Sequence, residues 1–194
     1  MTKSYIKSVL QGVHKLDINS ETLTEAVVKN VHDIKKNGQA HGRSDITLIN
    51  QSTRGLALEM QASWLLGGEL NPNEFNFKDP ETFAWDFEAE GTRFEVKNAG
   101  MIDKWFNFNL KEYKTSDNKT FPVLDTFLNN ISRVDYILVG ATIQDGDFYG
   151  VTYKWIIDAS TFMKHMKVSR TNGGSTHYYH IPDAIACGDC VAIN

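Results

Sequence analysis

Three ionisable residues fall close together in the stretch FAWDFEAEGTRFEVKNAG, residues 83–100: Asp86, Glu95 and Lys97. Glu90-Gly91 in the middle is a weaker form of the Asn-Gly signal for a two-residue hairpin turn. With the turn there, Ala89 meets Thr92, Glu88 meets Arg93, Phe87 meets Phe94, Asp86 meets Glu95 and Trp85 meets Val96. One face of the hairpin then gathers Trp85, Phe87, Phe94 and Val96, and the other gathers Asp86, Glu88, Arg93, Glu95 and Lys97. Glu88 opposite Arg93 is electrostatically favourable. Asp86 opposite Glu95 is not, because directly opposed residues have Cβ atoms about 5 Å apart and like charges there destabilise a sheet. A hard divalent cation compensates: Mg²⁺ takes one or two carboxylates and completes its shell with water and phosphate oxygens. Lys97 shares that face, about 7 Å along the strand from Glu95, close enough to act on an anion held by such an ion.

The flanking elements must hold this hairpin. Before it, SETLTEAVVKNVHDIKKNG predicts a helix with Ser20 as N-cap, Leu23, Val27, Val28, Val31 and Ile34 at helical spacing, and Gly38 at its end. TRGLALEMQASWLLGG predicts a second helix with Leu56, Met60, Trp64 and Leu65 on one stripe, stopped by Gly67 and Gly68. Glu59 sits among those apolar residues. Residues 69–80 carry turn signals at Asn71, Pro72, Asn73 and Asp79-Pro80, and are expected to be a connecting loop. After the hairpin, WFNFNLKEYKTSDNKTF is expected to be a strand followed by an exposed loop, and FPVLDTFLNNIS a short helix. DYILVGATI, residues 135–143, is a short β-branched run suited to a buried central strand. FYGVTYKWI predicts another strand, DASTFMKHMKV a helix and SRTNGGST a polar loop, with the tail THYYHIPDAIACGDCVAIN irregular or extended. No internal repeat is present.

Asp86 followed by Glu95-Val96-Lys97 resembles the D…(D/E)-x-K signature of the PD-(D/E)xK, or restriction-endonuclease-like, nuclease superfamily. Glu59 is similar to the helical glutamate that many members carry, and DYILVGATI to the strand that follows the signature. The resemblance covers residues 53–160 as an α-β-β-β-α-β core, with Trp85 in place of the proline that often precedes the first acid. It implies an α/β (α+β) fold with a central mixed β-sheet flanked by helices. Residues 1–52 are expected as an N-terminal helical extension and residues 161–194 as a C-terminal loop and strand region, the whole forming one domain. It also implies metal-dependent hydrolysis of DNA phosphodiester bonds. Asp86, Glu95 and the Val96 carbonyl would hold Mg²⁺, for which Mn²⁺ could substitute. Lys97 would orient water and stabilise the phosphate charge, and Glu59 would assist the metal or the water. The exonuclease branch of the superfamily usually carries a Q-x-x-x-Y motif on the next helix. None occurs between Asn98 and Ser132, which favours an endonuclease. A stand-alone chain of this size resembles restriction enzymes, homing endonucleases and junction resolvases, most of which act as homodimers so that each subunit cuts one strand, and the sequence does not choose among the three. The alternative is a non-catalytic DNA-binding or regulatory protein that retains the fold.

Composition sets outer bounds. The 194 residues, 41% hydrophobic and 11% aromatic, suffice for a sizeable core. The net charge of −4 gives no overall basic footprint of the kind a nucleic-acid-coating protein carries. Cations are nonetheless clustered: Lys104, Lys111 and Lys114 follow the hairpin, and Lys164, Lys167 and Arg170 precede a Tyr-rich segment, so these six are candidates for phosphate contact. No apolar run of membrane-spanning length and no signal-peptide core occurs, so a cytoplasmic protein is expected. Cys187 and Cys190 make no disulfide framework. Together with His177 and His180 they form a candidate structural zinc set. An HxxH on a strand would point its histidines to opposite faces, so an ordinary thiol pair is the favoured reading.

Overall fold

The computed structural model describes residues 1–17, 19–38, 40, 42–72, 84–98, 105–108, 112–114, 120–122, 130–171 and 174–193. Its centre is a seven-stranded mixed sheet in the order β1-β9-β8-β4-β3-β2, with β12 also pairing β9. The strands are β1 (Val13–Asp17), β2 (Glu69–Leu70), β3 (Phe87–Ala89), β4 (Thr92–Asn98), β8 (Tyr136–Asp145), β9 (Phe148–Asp158) and β12 (Cys190–Ala192). The β4–β8 pair is parallel and every other pair in the sheet is antiparallel. A smaller sheet joins β10 (Met166–Thr171), β11 (Gly174–His180) and β5 (Trp105–Phe108), while β6 (Glu112–Lys114) and β7 (Thr120–Pro122) form a separate hairpin.

Helices cover the sheet. α1 (Lys3–Leu10) and α3 (Asp45–Leu65) lie on one face, where Ile6, Ala57, Leu58 and Ala62 pack with Phe87, Phe94, Val96 and Leu138. α2 (Glu21–Lys36) packs on the outside of α3 through Leu23, Val27 and Leu56. The opposite face carries Ile137, Val139, Trp155 and Ile157, covered by the 3₁₀ segment Ala159–His165, β11 and α4 (Ile181–Ala186). The expected helices on a mixed sheet are therefore present, and the N-terminal segment also supplies β1, which extends the same sheet along β9.

α2 forms where expected, with Ser20 Oγ accepting from Leu23 N–H at 3.4 Å. α3 differs from the expectation: it begins at Asp45, capped by Ser44 Oγ accepting from Thr47 N–H, rather than at Thr53. Its Leu56 and half-buried Met60 pack towards α2, but Trp64, one turn further on, is 76% exposed. Among the described residues, the expected stripe thus packs as far as Met60 and not at Trp64. Other departures are local. Glu69–Leu70 is a strand, the segment after Asp158 is 3₁₀ and then β10 rather than one helix, and the tail contains α4, started by Pro182 in its first turn. The expected helix within FPVLDTFLNNIS falls mostly outside the described residues, which show a 3₁₀ turn at Ile131–Arg133.

Two features fix the height of α3 over the sheet. Tyr153 Oη on β9 donates to Leu58 O at 2.6 Å. Gly140, at a bulge of β8 beside β9, would place a Cβ 2.6 Å from Leu58 Cδ2 and 2.7 Å from Thr152 O, so only a glycine admits the helix at this height. Leu58 is the neighbour of Glu59, so these contacts also set where Glu59 stands.

Candidate active site

The hairpin has the expected register: Phe87 pairs Phe94, Glu88 pairs Arg93 and Ala89 pairs Thr92. Glu90 and Gly91 both adopt positive φ, 49° and 69°, as a two-residue primed turn requires. Phe87 and Phe94 stack with centroids 4.6 Å apart under α3. Trp85 is the exception to the expected face. It packs with the opposite core, alongside Val139 and Trp155, and its ring lies 3.8 Å from the Arg93 guanidinium carbon. Arg93 is also joined to Glu88, Nε to Oε2, at 3.0 Å.

The cause is that the ladder stops at Phe87. Asp86 N–H donates to Phe94 O at 2.8 Å, out of the ladder's register, and Asp86 Oδ2 accepts from Val96 N–H at 2.5 Å. Asp86 therefore does not stand as a cross-strand partner of Glu95. It closes the end of β3, and its side chain replaces the next strand bond. Asn71, 3% exposed, fixes the approach: its N–H donates to Asp86 O and its Nδ2 to Trp85 O, both at 2.9 Å. Sequence reading placed Asn71 in a turn and missed this clamp, because its partners lie fourteen and fifteen positions away and only the fold joins them.

The charges still meet. Burial pushes the Asp86 carboxyl well above the usual carboxylate range; the Glu95 and then the Glu59 charges add to the shift, while Lys97 and the Val96 N–H oppose it. Glu95 is 6% exposed and ion-paired with the half-buried Lys97. Tyr153 feels the same surplus: burial raises its phenol, and the Glu59 charge raises it further. Asp86, Glu95, Lys97 and Glu59 are thus brought together from the end of β3, from β4 and from α3. Part of the expected repulsion is met by Lys97, which pairs with Glu95 and opposes the rise of the Asp86 carboxyl. Val96 adds a further oxygen. Its N–H turns to the β3 side, and the N–H and C=O of one strand residue point the same way. Its carbonyl therefore points to the β3 side as well.

Of the six candidate phosphate contacts, Lys104 and Lys111 lie outside the described residues. Lys114 and Arg170 lie on β6 and β10, with side chains outside the described set. Lys164 and Lys167 are each paired, with Asp189 at 2.9 Å and Asp183 at 2.5 Å. The four-residue zinc set does not assemble among the described side chains: Cys187 is exposed, Cys190 is buried on β12, and His180 Nδ1 faces Asp183 at 3.0 Å. The His177 side chain lies outside the described set. No helix among the described residues is long and apolar enough to cross a membrane.

A mixed sheet flanked by helices, with acids from a helix and a hairpin converging beside a lysine, is an α/β nuclease-like arrangement. The family model for bacteriophage T4 endonuclease IV matches residues 3–181, and the chain belongs to that endonuclease family. No curated protein matches it.

Proposed function

We propose that the protein is a Mg²⁺-dependent DNA endonuclease whose catalytic centre is Asp86, Glu95, Lys97 and Glu59, working in the manner of the PD-(D/E)xK nucleases. The observation that carries this reading is the convergence of the Glu95 and Glu59 charges on an Asp86 carboxyl already strained by burial. Membership of an endonuclease family supports DNA as the substrate.

The donor set fits the ion. Three carboxylates and a strand carbonyl are hard oxygen ligands, and their surplus negative charge is the kind that a small divalent cation relieves. Asp86 and Glu95, with the Val96 carbonyl, would hold it. When bound, Mg²⁺ makes water a stronger nucleophile at neutral pH and offsets charge on the phosphate. The chain's own residues supply the rest. Val96 N–H holds one Asp86 oxygen in place. Lys97, paired with Glu95 in the protein alone, turns its ammonium to a non-bridging phosphate oxygen once the Glu95 charge is otherwise met. Glu59, held through Leu58 by Tyr153, orients the attacking water and accepts its proton.

Purified protein incubated with supercoiled, linear, branched and single-stranded DNA should nick or cut at least one of them with Mg²⁺ and none with chelator. Absence of Mg²⁺-dependent cleavage on all four would end the proposal. Lys97→Ala should abolish cleavage without changing the fold, and an unchanged rate would remove Lys97 from the centre.

A further inference from the structure

A second cluster, remote in sequence from the nuclease centre, gathers three different kinds of metal ligand. His165 ends the 3₁₀ segment and is 4% exposed, Cys187 follows α4 at the surface, and Asp189 leads into β12. One donor atom from each lies within 4.8 Å of the other two. His165 Nε2 is 2.7 Å from Asp189 Oδ2, which also accepts from Lys164 Nζ at 2.9 Å. The end of α4 builds this corner. Cys187 N–H and Asp189 N–H donate back to Asp183 O and Ala184 O, and Gly188, at φ 77°, turns the chain between them.

A separate observation points to a missing group. Tyr179 is fully buried, and its hydroxyl has no hydrogen-bond partner among the described residues. Its ring stands edge-on to His165, with centroids 5.8 Å apart, and burial raises its phenol, with Cys190, Asp189, Asp158 and Cys187 adding to the shift in that order. A buried hydroxyl is ordinarily hydrogen-bonded, so something beyond these side chains is wanted here.

We propose that His165, Cys187 and Asp189 bind Zn²⁺. A nitrogen, a thiolate sulfur and a carboxylate oxygen form a zinc donor set rather than a magnesium one. Only Cys187 is shared with the four residues that the sequence suggested. Three protein ligands leave one coordination position for water, to which the Tyr179 hydroxyl would donate. On binding, the ion takes the place of the hydrogen between His165 Nε2 and Asp189 Oδ2; that proton passes through solvent to His165 Nδ1, which leaves the ring neutral, and the Cys187 thiol proton leaves to solvent. The Lys164 side chain is 59% exposed and can turn outward. The ion enters past the exposed Cys187 and ties β12, the strand on β9, to the 3₁₀ segment.

The test is a Co²⁺ titration of chelator-treated full-length protein in excess Mg²⁺, which occupies sites made of oxygen alone. One equivalent should bind with near-ultraviolet thiolate-to-cobalt absorption, and Zn²⁺ should displace it. Cys187→Ser should abolish that absorption, Cys190→Ser should keep it, and Tyr179→Phe should keep it while weakening affinity about tenfold. Zn²⁺ should raise Tm in the wild type and not in Cys187→Ser. No thiolate absorption, absorption that survives Cys187→Ser, or Zn²⁺ affinity unmoved by Asp189→Asn would each overturn the proposal.

Discussion

Asp86 and Asp189 are aspartates with ionisable neighbours, yet the fold treats them in opposite ways. Burial and the Glu95 and Glu59 charges hold the Asp86 carboxyl well above the usual range, while hydrogen bonds from His165 and Lys164 hold Asp189 below it. Asp183 resembles Asp189, lowered chiefly by its bond from Lys167. At the C-terminal end the chain supplies its own cations. Among the described residues, the hairpin and α3 bring together three acids and Lys97, which is paired with Glu95. A fold that buries acids against one another without full compensation gives up stability there, a pattern that clusters at functional sites. Under the two proposals the regions would also select metals differently: the hairpin would attract a hard ion by charge, and the His165 corner a borderline-soft one by donor type.

Asp86→Asn tests the contrast most severely. The amide keeps an oxygen for the Val96 N–H but removes the charge. Cleavage should fall on the order of 10³-fold or more, as when an electrostatic element of a catalytic site is lost. Thermal stability without metal should rise, with Tm climbing about 2–4 °C for each kcal/mol of repulsion removed in a chain of this size. An active enzyme lacking the Asp86 charge, or a fall in Tm, would show that the carboxylate is structural and that the two regions do not differ in kind.

The register of the hairpin was legible in the sequence because a two-residue turn and period-2 alternation both specify it. β8, β9 and α2 were legible from apolar runs and caps. Where β3 ends was not legible, since that depends on Asn71 reaching Trp85 O and Asp86 O from another segment. Trp85 was consequently assigned to the wrong face, and Asp86 and Glu95 were read as opposed ladder partners. Local signals were available for two other misses: Ser44 and Asp45 at the start of α3, and Pro182 at the start of α4. The His165–Asp189 bond joins residues 24 positions apart, and no spacing rule reaches it.

Tyr153→Phe probes the support rather than the acids. Losing the buried bond to Leu58 O should cost about 0.5–1.5 kcal/mol. If the bond also positions Glu59, kcat should drop while Mg²⁺ affinity, which under the proposed mechanism Asp86 and Glu95 would set, stays near its wild-type value. An equal loss in both would mean that the helix only packs there.

The finest separation comes from pH. For Asp86, whose folded pKa is raised, the unfolded chain releases its proton near the ordinary value of 3.8 while the folded protein still holds it. Stability from this group is therefore full below that pH and is lost as pH rises through the folded pKa. The Tm advantage of Asp86→Asn should be near zero at about pH 3.8 and should grow towards neutrality, shrinking again when Mg²⁺ is added. Asp183 runs the other way: its folded pKa is lowered, so its contribution is present above the unfolded value and is lost as pH falls through the folded one. Asp183→Asn should lower Tm slightly at neutral pH, with the deficit closing in acid and in high salt, because the pair with Lys167 is exposed. Two aspartate-to-asparagine gaps that both open as pH rises, with opposite signs, are what uncompensated and compensated carboxylates require. Gaps of the same sign would place Asp86 among the ordinary ion-paired acids and leave its raised pKa without a functional reason.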